Sequence, residues 1–361
     1  MPGGYNNSIG FQTIFWLMSG EAARSCDDFL SLESNRNRFR RMKLLKAFVK
    51  VSIAPILLAA ASTLAPAAQL STDARTAVPR DVQQLVVIDY RAMQNSTAAM
   101  DLRERVMPPE LKQFDEALRK SGLNDNHDVD QLAFALFRSA GGSDILDTVG
   151  IAQGQFPVED ILANFRKQRV RPTLLRTNKL YPLTKSGMVL CFVDPSTMVF
   201  GAKESVQKAL DARDGVTPSL LTNGSMMDAM KSVDYEPLWS ILDQKGTQTM
   251  MRQVLGEAGS VTDFETVRKR LQASWYSMNF QHGVKFDSTI STGDSFAAAT
   301  ISSLLTAAVM IRKMSGSDAE KQALSATSIA SDSGRLSIHF ATSDGEFNNL
   351  LHSPLFRSMV R

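Results

Sequence analysis

The sequence predicts an α+β fold made of two tandem copies of a strand–helix–hairpin–helix–hairpin–helix unit. Three observations lead to this prediction. Short β-branched and aromatic runs occur in pairs joined by turn residues, as in antiparallel hairpins. Segments with apolar residues three and four apart follow them, as in amphipathic helices. The same order of elements occurs at 84–214 and at 236–361, so we expect mainly antiparallel sheets with helices packed on one face.

The first copy opens with QLVVIDY at 84–90, a predicted strand. Two prolines begin the helix predicted at 108–122, and a glycine ends it. The remaining elements of this copy are, in order, a hairpin over 132–156, a helix opened by Pro157, a hairpin over 188–202 and a helix carrying Val206, Ala209 and Leu210.

The second copy repeats this order after a connector at 215–235 that contains one short helix. Its predicted elements are a strand at 237–242, a helix at 262–271 capped by Thr262, a hairpin over 273–292, a long helix from Asp294, a hairpin over 324–341 and a helix carrying Phe347, Leu350 and Leu351. Val206, Ala209 and Leu210 each precede one of these last three residues by the same interval, which supports a duplication.

Residues 42–67 have the layout of a secretory signal peptide. Three lysines precede an uncharged run from Val51 to Leu64, and Ala65 and Ala67 supply an A-x-A cleavage site. We therefore predict export to the periplasm or the medium after cleavage between Ala67 and Ala68, with 68–83 as a flexible lead.

The 41 residues before this signal are open to three interpretations. Translation starts at Met42, and 1–41 is a misassigned extension. Alternatively, Arg40 and Arg41 belong to a twin-arginine signal. In the third interpretation, the apolar run stays uncleaved as an anchor. All three imply export.

The charge of the chain limits its possible partners, and its cysteine content limits its possible disulfides. Residues 1–67 hold 8 Lys/Arg and 4 Asp/Glu, so the remaining chain carries 32 basic and 33 acidic residues. A nearly neutral chain has no global field for nucleic acid, so we predict no nucleic-acid partner. Cys191 is the single cysteine after the signal, which excludes an internal disulfide framework.

The order of elements resembles exported bacterial families catalogued as domains of unknown function, some of which have duplicated α+β halves. The segment KSGLNDNHDVDQLAFALFR looks like the entry into a strand found in those families. The resemblance covers residues 84–361. It implies the fold and the export, and it brings no defined active site.

Residues 124–130 (NDNHDVD) place oxygen-bearing side chains at alternate positions, as a calcium loop does. An EF-hand counted from Asn124 needs Gly at its sixth position and Glu at its twelfth, where Val129 and Ala135 stand. We expect these side chains to bond backbone N–H groups in a turn instead.

Four histidines, His127, His282, His339 and His352, are far apart in sequence, and zinc motifs and nucleophile elbows are absent from the sequence. Cys191 lies in an apolar strand, as a buried small hydrophobe does. We therefore predict no catalytic, cofactor-binding or metal-binding residue and no cofactor.

Two further segments attract attention. The uncharged run at 295–311 is short for a membrane span and predicts an amphipathic helix with Thr300, Ser302, Ser303 and Thr306 facing away from the sheet. The basic stretch at 165–179 contains no acid, and we interpret it as a solvated loop that balances acids elsewhere.

The leading functional hypothesis is an exported, non-enzymatic protein that binds an envelope or extracellular partner. In this hypothesis the chain touches a membrane only through its export signal or an uncleaved anchor. One alternative is a secreted hydrolase with a site between the halves. Another is a carrier of a lipid or small molecule, held in a groove between sheet and helices.

Overall fold

Twelve strands form one antiparallel sheet in the computed structural model, which describes residues 69–138, 146–184, 187–255, 267–353 and 356. The strands are β1 (Val82–Asp89), β2 (Val129–Arg138), β3 (Leu146–Gly154), β4 (Thr173–Leu175), β5 (Asn178–Pro182), β6 (Met188–Asp194), β7 (Thr197–Ala202), β8 (Leu238–Leu242), β9 (Leu271–Asn279), β10 (Val284–Thr292), β11 (Thr327–Asp332) and β12 (Arg335–Thr342). The predicted α+β class with an antiparallel sheet is confirmed.

Helices connect these strands and cover the sheet. They are α1 (Thr72–Thr76), α2 (Tyr90–Met93), α3 (Thr97–Val106), α4 (Pro109–Lys120), α5 (Asp125–Asp128), α6 (Val158–Lys167), α7 (Lys203–Arg213), α8 (Gly224–Met230), α9 (Gln244–Leu255), α10 (Ser295–Ser315), α11 (Asp318–Ser325) and α12 (Asp344–Leu351). The helix predicted at 262–271 falls largely outside the described residues, and its last residue, Leu271, begins β9.

The sheet runs without a break through both halves of the chain, because β1 pairs with β8 at its centre. Outward from β1 the order is β2, β3, β7, β6, β5 and β4. Outward from β8 it is β9, β10, β12 and β11. In each half the central strand is therefore followed by a hairpin, and then by the second strand of the next hairpin.

One face of the sheet, here the first face, carries Ile88, Leu132 and Leu238 side by side in paired positions. Helices α4 and α6 cover it in the first half. Helices α3, α9, α10 and α12 cover it in the second half. Phe286 and Phe340, which are paired on β10 and β12, belong to this second core.

The opposite, second face carries Leu85, Ala135 and Ile241 in paired positions. Helices α1, α7 and α8 cover it in the first half, so the prediction of helices on one face is wrong there. Over β10 and β12 this face is polar and open to solvent, with Asp287 and His339 exposed. The prediction holds over these two strands, because buried and more exposed residues alternate along them.

Two other predictions differ from the structure. The lead at 68–83 is packed in the core, since Leu70 and Val78 are buried. The last helices of the two halves lie on opposite faces, α7 on the second and α12 on the first. The exits from the two preceding strands differ as well. Gly201, near the end of β7, has a φ of +147°, which other residues rarely adopt. The residue near the end of β12 is Ala341.

Candidate functional site

The outward side of α10 is an uncharged, largely apolar stripe. Phe296, Met310, Ile311 and Met314 are 69%, 62%, 64% and 86% exposed. They are half of the large hydrophobic side chains that are exposed in the described part of the chain. We call the outer stripe the set Phe296, Ala299, Ser303, Ala307, Met310, Ile311 and Met314, which are all exposed. Clustered exposure of this kind marks interaction surfaces.

The stripe is held on a well-formed helix. The Asp294 carboxylate caps its N-terminus and accepts a hydrogen bond from the Ala297 N–H at 2.8 Å. This hydrogen bond, together with the Arg270 guanidinium 2.5 Å away, lowers the pKa of Asp294. Five alanines among the first fourteen helical residues favour the helix further, because alanine has the highest helix propensity.

The inward side of α10 anchors the helix to the sheet. Ile301, Leu305 and Val309 are buried there. Near the C-terminus, the Arg312 guanidinium lies 3.4 Å from the Glu320 carboxylate of α11, with both side chains almost fully buried. The outer stripe is therefore presented by a rigid support, as a binding surface requires.

Helix α10 is also the one helix within the described ranges that is long and apolar enough to cross a membrane. Its mean hydropathy is 1.5 over an 18-residue segment. The sequence predicts instead a helix that covers the sheet, and the buried inward side agrees with this. The predicted polar outward side is only partly right, because Thr300 and Ser303 lie between the exposed Phe296 and Met310.

Two small apolar cavities lie between the first face of the sheet and helices α3 and α4. Their volumes are about 70 and about 60 Å³. They adjoin, because both are lined by Tyr90, Arg103, Met107, Leu111, Leu132 and Phe134.

Arg103 is the cationic group of these cavities. Its guanidinium lies 5.0 Å from the centre of the Tyr90 ring, within cation–π range, and 3.5 Å from the Asp115 carboxylate. Asp115 also accepts a hydrogen bond from Arg119 at 3.1 Å. Arg103 and Arg119 share the one carboxylate of Asp115, while most of the other lining side chains are apolar, so the cavities favour a largely apolar occupant.

Residues 124–130 form the short helix α5 and the start of β2, where the sequence predicts a turn. The Asp128 carboxylate accepts a hydrogen bond from the Asn124 N–H at 2.7 Å, which is the backbone role that the sequence predicts. His127 Nδ1 lies 3.0 Å from the same carboxylate, and Asp130 pairs with Arg91. Across the described residues, no group of three or more His, Cys, Asp or Glu could hold a metal ion.

Three of the four histidines contact different partners. His339 pairs with Asp287 at 2.7 Å on the open second face, while His352 Nδ1 lies 2.8 Å from the Asn348 carbonyl. Cys191 is 1% exposed, and burial raises the pKa of its thiol, so it is the buried small hydrophobe that the sequence predicts.

The predicted balance between the basic stretch at 165–179 and acids elsewhere is seen at Arg176, although the stretch is not a single loop, since it includes the end of α6 and the strand β4. The Arg176 guanidinium contacts the carboxylates of Asp211 at 2.6 Å and Asp214 at 3.1 Å. The hydrogen bond to Asp211 raises the pKa of Arg176. The short strands β4 and β5, which the sequence does not predict, carry part of this stretch.

The outer stripe is the feature that the sequence interpretation misses. A signal for it exists, since Phe296, Ala299, Ser303, Ala307, Met310 and Met314 follow each other at intervals of three and four. The inward residues of the same helix have that spacing too. When a helix is apolar on two sides and only one side packs against the sheet, the other apolar side stays exposed to solvent.

No protein-family model matches the chain, and no curated protein matches it significantly. Among solved structures, crystal form I of TP0453 has a TM-score of 0.45 and 11% identity, over 80% of this chain and 97% of that one. Crystal form III of TP0453 has a TM-score of 0.41 and 10% identity, over 77% and 96% of the two chains. These similarities are weak, and the resemblance to exported families of unknown function stays a prediction.

Proposed function

We propose that this chain is an exported, non-enzymatic protein that acts by binding a protein partner through the outer stripe. The carrying observation is the exposure of Phe296, Met310, Ile311 and Met314 on one helix. The partner surface that fits is an apolar, uncharged helix face, because a charged group set against this stripe would lose water without gaining a counter-charge.

The hydrolase alternative has less support. Within the described ranges, no histidine is hydrogen-bonded to a serine, threonine or cysteine side chain, since the partners of the histidines are aspartates, a backbone carbonyl and Arg105. Nucleophilic catalysis needs a base within hydrogen-bond reach of the nucleophile.

Site-specific photo-crosslinking tests the proposed binding surface. A benzophenone side chain introduced at Met314 in cells should give covalent protein adducts. The matched control is the same side chain at Ser337, which is exposed on the open second face. Absence of protein adducts at both Met310 and Met314, or equal yields at Ser337, would sink the proposal.

Export has its own test. The mature protein recovered from the periplasm or medium should begin near Ala68, and N-terminal sequencing would read this directly. A mature product that begins at Met1 contradicts the signal-peptide prediction. A product that begins at Met42 and sediments with membranes supports the uncleaved anchor instead.

The adjoining cavities favour a second function, the carriage of a small apolar molecule. A benzene-sized ligand needs about 150 Å³, more than either cavity of about 70 and 60 Å³ offers alone. The two cavities together also fall slightly short of that volume, so benzene would have to fill both and displace some of the lining side chains. Calorimetric titration with benzene should give saturable binding that Leu111→Trp abolishes. Binding that Leu221→Trp, at an exposed site elsewhere, weakens equally would contradict a ligand at these cavities.

We also propose that the chain contains an internal duplication. Its support is the shared strand order on the two sides of the β1–β8 pair. The opposite placement of α7 and α12 limits the repeat to the strands and the first helices. Superposition of 84–202 on 238–342 should align the strands, and a mismatch in strand direction would end the duplication hypothesis.

A further inference from the structure

We propose that the partner of the outer stripe is a second copy of this chain, packed antiparallel along α10 with a twofold axis at Ser303. This inference rests on the proposed function, because it names the occupant of the same surface. Twofold dimers are the commonest homo-oligomers, and their interface must be self-complementary.

The stripe has the required symmetry. Phe296 and Met310 lie seven residues before and after Ser303, and Ala299 and Ala307 lie four residues before and after it. In an antiparallel pair, Phe296 of one copy therefore meets Met310 of the other, and the alanines meet each other. Small residues at the centre let two helices approach closely, while the large side chains interlock at the ends.

The hydroxyl groups along this side need no partner from water. Ser303 Oγ donates to the Ala299 carbonyl at 3.0 Å, and Thr300 Oγ1 donates to the Phe296 carbonyl at 2.9 Å. Thr306 bonds in the same way to Ser302. Burial of a hydroxyl without a hydrogen bond is costly, and these groups avoid that cost.

The helix dipoles favour the antiparallel direction. An antiparallel pair opposes the two dipoles, whereas a parallel pair aligns them. The charges at the helix ends add little to this preference, because Asp294 is already paired with Arg270.

The size of the stripe predicts a reversible dimer. It runs over 19 residues from Phe296 to Met314, so its length is about 27 Å. Two such faces bury on the order of 1,000 Å² in total, which is the lower end for specific protein–protein interfaces. We therefore expect association in the micromolar range.

Cysteine cross-linking tests the register directly. The protein purified from expressing cells carries Cys26→Ser, and Cys191 stays because it is 1% exposed. Ser303→Cys should give a disulfide-linked dimer on mild oxidation, since a disulfide needs Cα atoms within about 7 Å. Phe296→Cys and Met310→Cys should each stay unlinked alone and cross-link when mixed. Ser337→Cys, exposed on the open second face, is the matched control and should stay monomeric.

Analytical ultracentrifugation gives a second measurement without cysteines. Ala307→Glu should raise the dissociation constant at least tenfold, whereas Ala341→Glu, at an exposed position of β12, should leave it unchanged. Circular dichroism of each variant checks that the fold is kept.

The outcomes separate this inference from the proposed function. A monomer at all concentrations and no cross-link at Ser303→Cys overturn the dimer, and adducts of Met314 with another protein would then leave the proposed function standing. Cross-linking of Phe296→Cys with itself overturns the antiparallel register.

Discussion

The Arg312 guanidinium lies 3.4 Å from the Glu320 carboxylate, and the two side chains are only 8% and 2% exposed. This pair ties the C-terminal end of α10 to α11. Glu320→Gln removes the counter-charge of a buried cation, so we expect a loss of about 3–5 kcal/mol in the free energy of unfolding.

Urea denaturation measures this loss. Arg312→Met combined with Glu320→Gln should be more stable than Glu320→Gln alone, because the uncompensated charge is gone. Asp228→Asn breaks a pair with Lys231 that is more than 70% exposed on both sides, and it should cost about 0.5 kcal/mol or less. Similar losses for the buried and the exposed pair would contradict this account.

Gly150 on β3 lies directly beneath the ring of Phe200, and a methyl group there would overlap the ring. That ring stacks on Phe114 with centroids 4.8 Å apart. Gly150→Ala should therefore destabilise the protein by about 1–3 kcal/mol. Thermal unfolding checks the prediction.

Phe200→Leu should reduce the penalty of Gly150→Ala, which gives a non-additive double-mutant cycle. Gly224→Ala is the control, because nothing lies within 4 Å of its added methyl group. Strict additivity of Gly150→Ala and Phe200→Leu would show that the overlap has been relieved elsewhere.

Burial raises the pKa of Tyr276 to about 12. Its hydroxyl faces Gln84 and Ser240 near the centre of the sheet. An unfolded tyrosine titrates near 10, so the folded state holds the proton more tightly. The resulting stabilisation is fully present below about pH 10 and is lost as the pH rises through about 12, by roughly 2–3 kcal/mol.

Tyr276→Phe should flatten this alkaline loss, while it costs about 1 kcal/mol at pH 8 through the missing hydrogen bonds. Denaturant unfolding between pH 8 and 12 reads both effects. Tyr235→Phe, at a residue that is 61% exposed, serves as the control. An unchanged pH slope in Tyr276→Phe would contradict the prediction.

Methionine oxidation reports on the outer stripe. Met310 and Met314 are 62% and 86% exposed, whereas Met250 and Met251 are 3% and 0% exposed. Dilute peroxide should therefore form sulfoxide first at Met310 and Met314, as peptide mass mapping can show. Raising the protein concentration into the range of the proposed dimer should slow oxidation at these two sites several-fold and leave Met250 unaffected. Oxidation that starts at Met251 would mean that α9 is not packed as described.

Most strands and half of the described helices were predictable because their apolar residues recur at the period of one secondary structure. Helix α3 was missed because its buried residues are Ala98, Ala99 and Leu102, a weak apolar pattern. Helix α9 was missed because Gly246 stands near its start. The glycine is there because the backbone of Gln83 approaches it closely, a contact that no local pattern reveals.

The exposure of the outer stripe could not be predicted from residue spacing alone. Spacing shows that α10 has two apolar sides, and both are compatible with a core. Which one becomes the surface depends on which side the sheet meets. The positions of Ile301 and Leu305 in the core decide that Phe296 and Met310 point outward.

The sequence by itself determined the α+β class, the antiparallel hairpins, the buried state of Cys191 and the absence of an EF-hand. These follow from local periodicity and from motif chemistry, which act over a few residues. Only the tertiary structure decided that β1 and β8 join both halves into one sheet, that helices cover both faces in the first half, and that one side of α10 is left open. Those features arise from contacts between elements that are distant in sequence, more than a hundred positions apart in the case of β1 and β8, and local patterns do not encode such pairing.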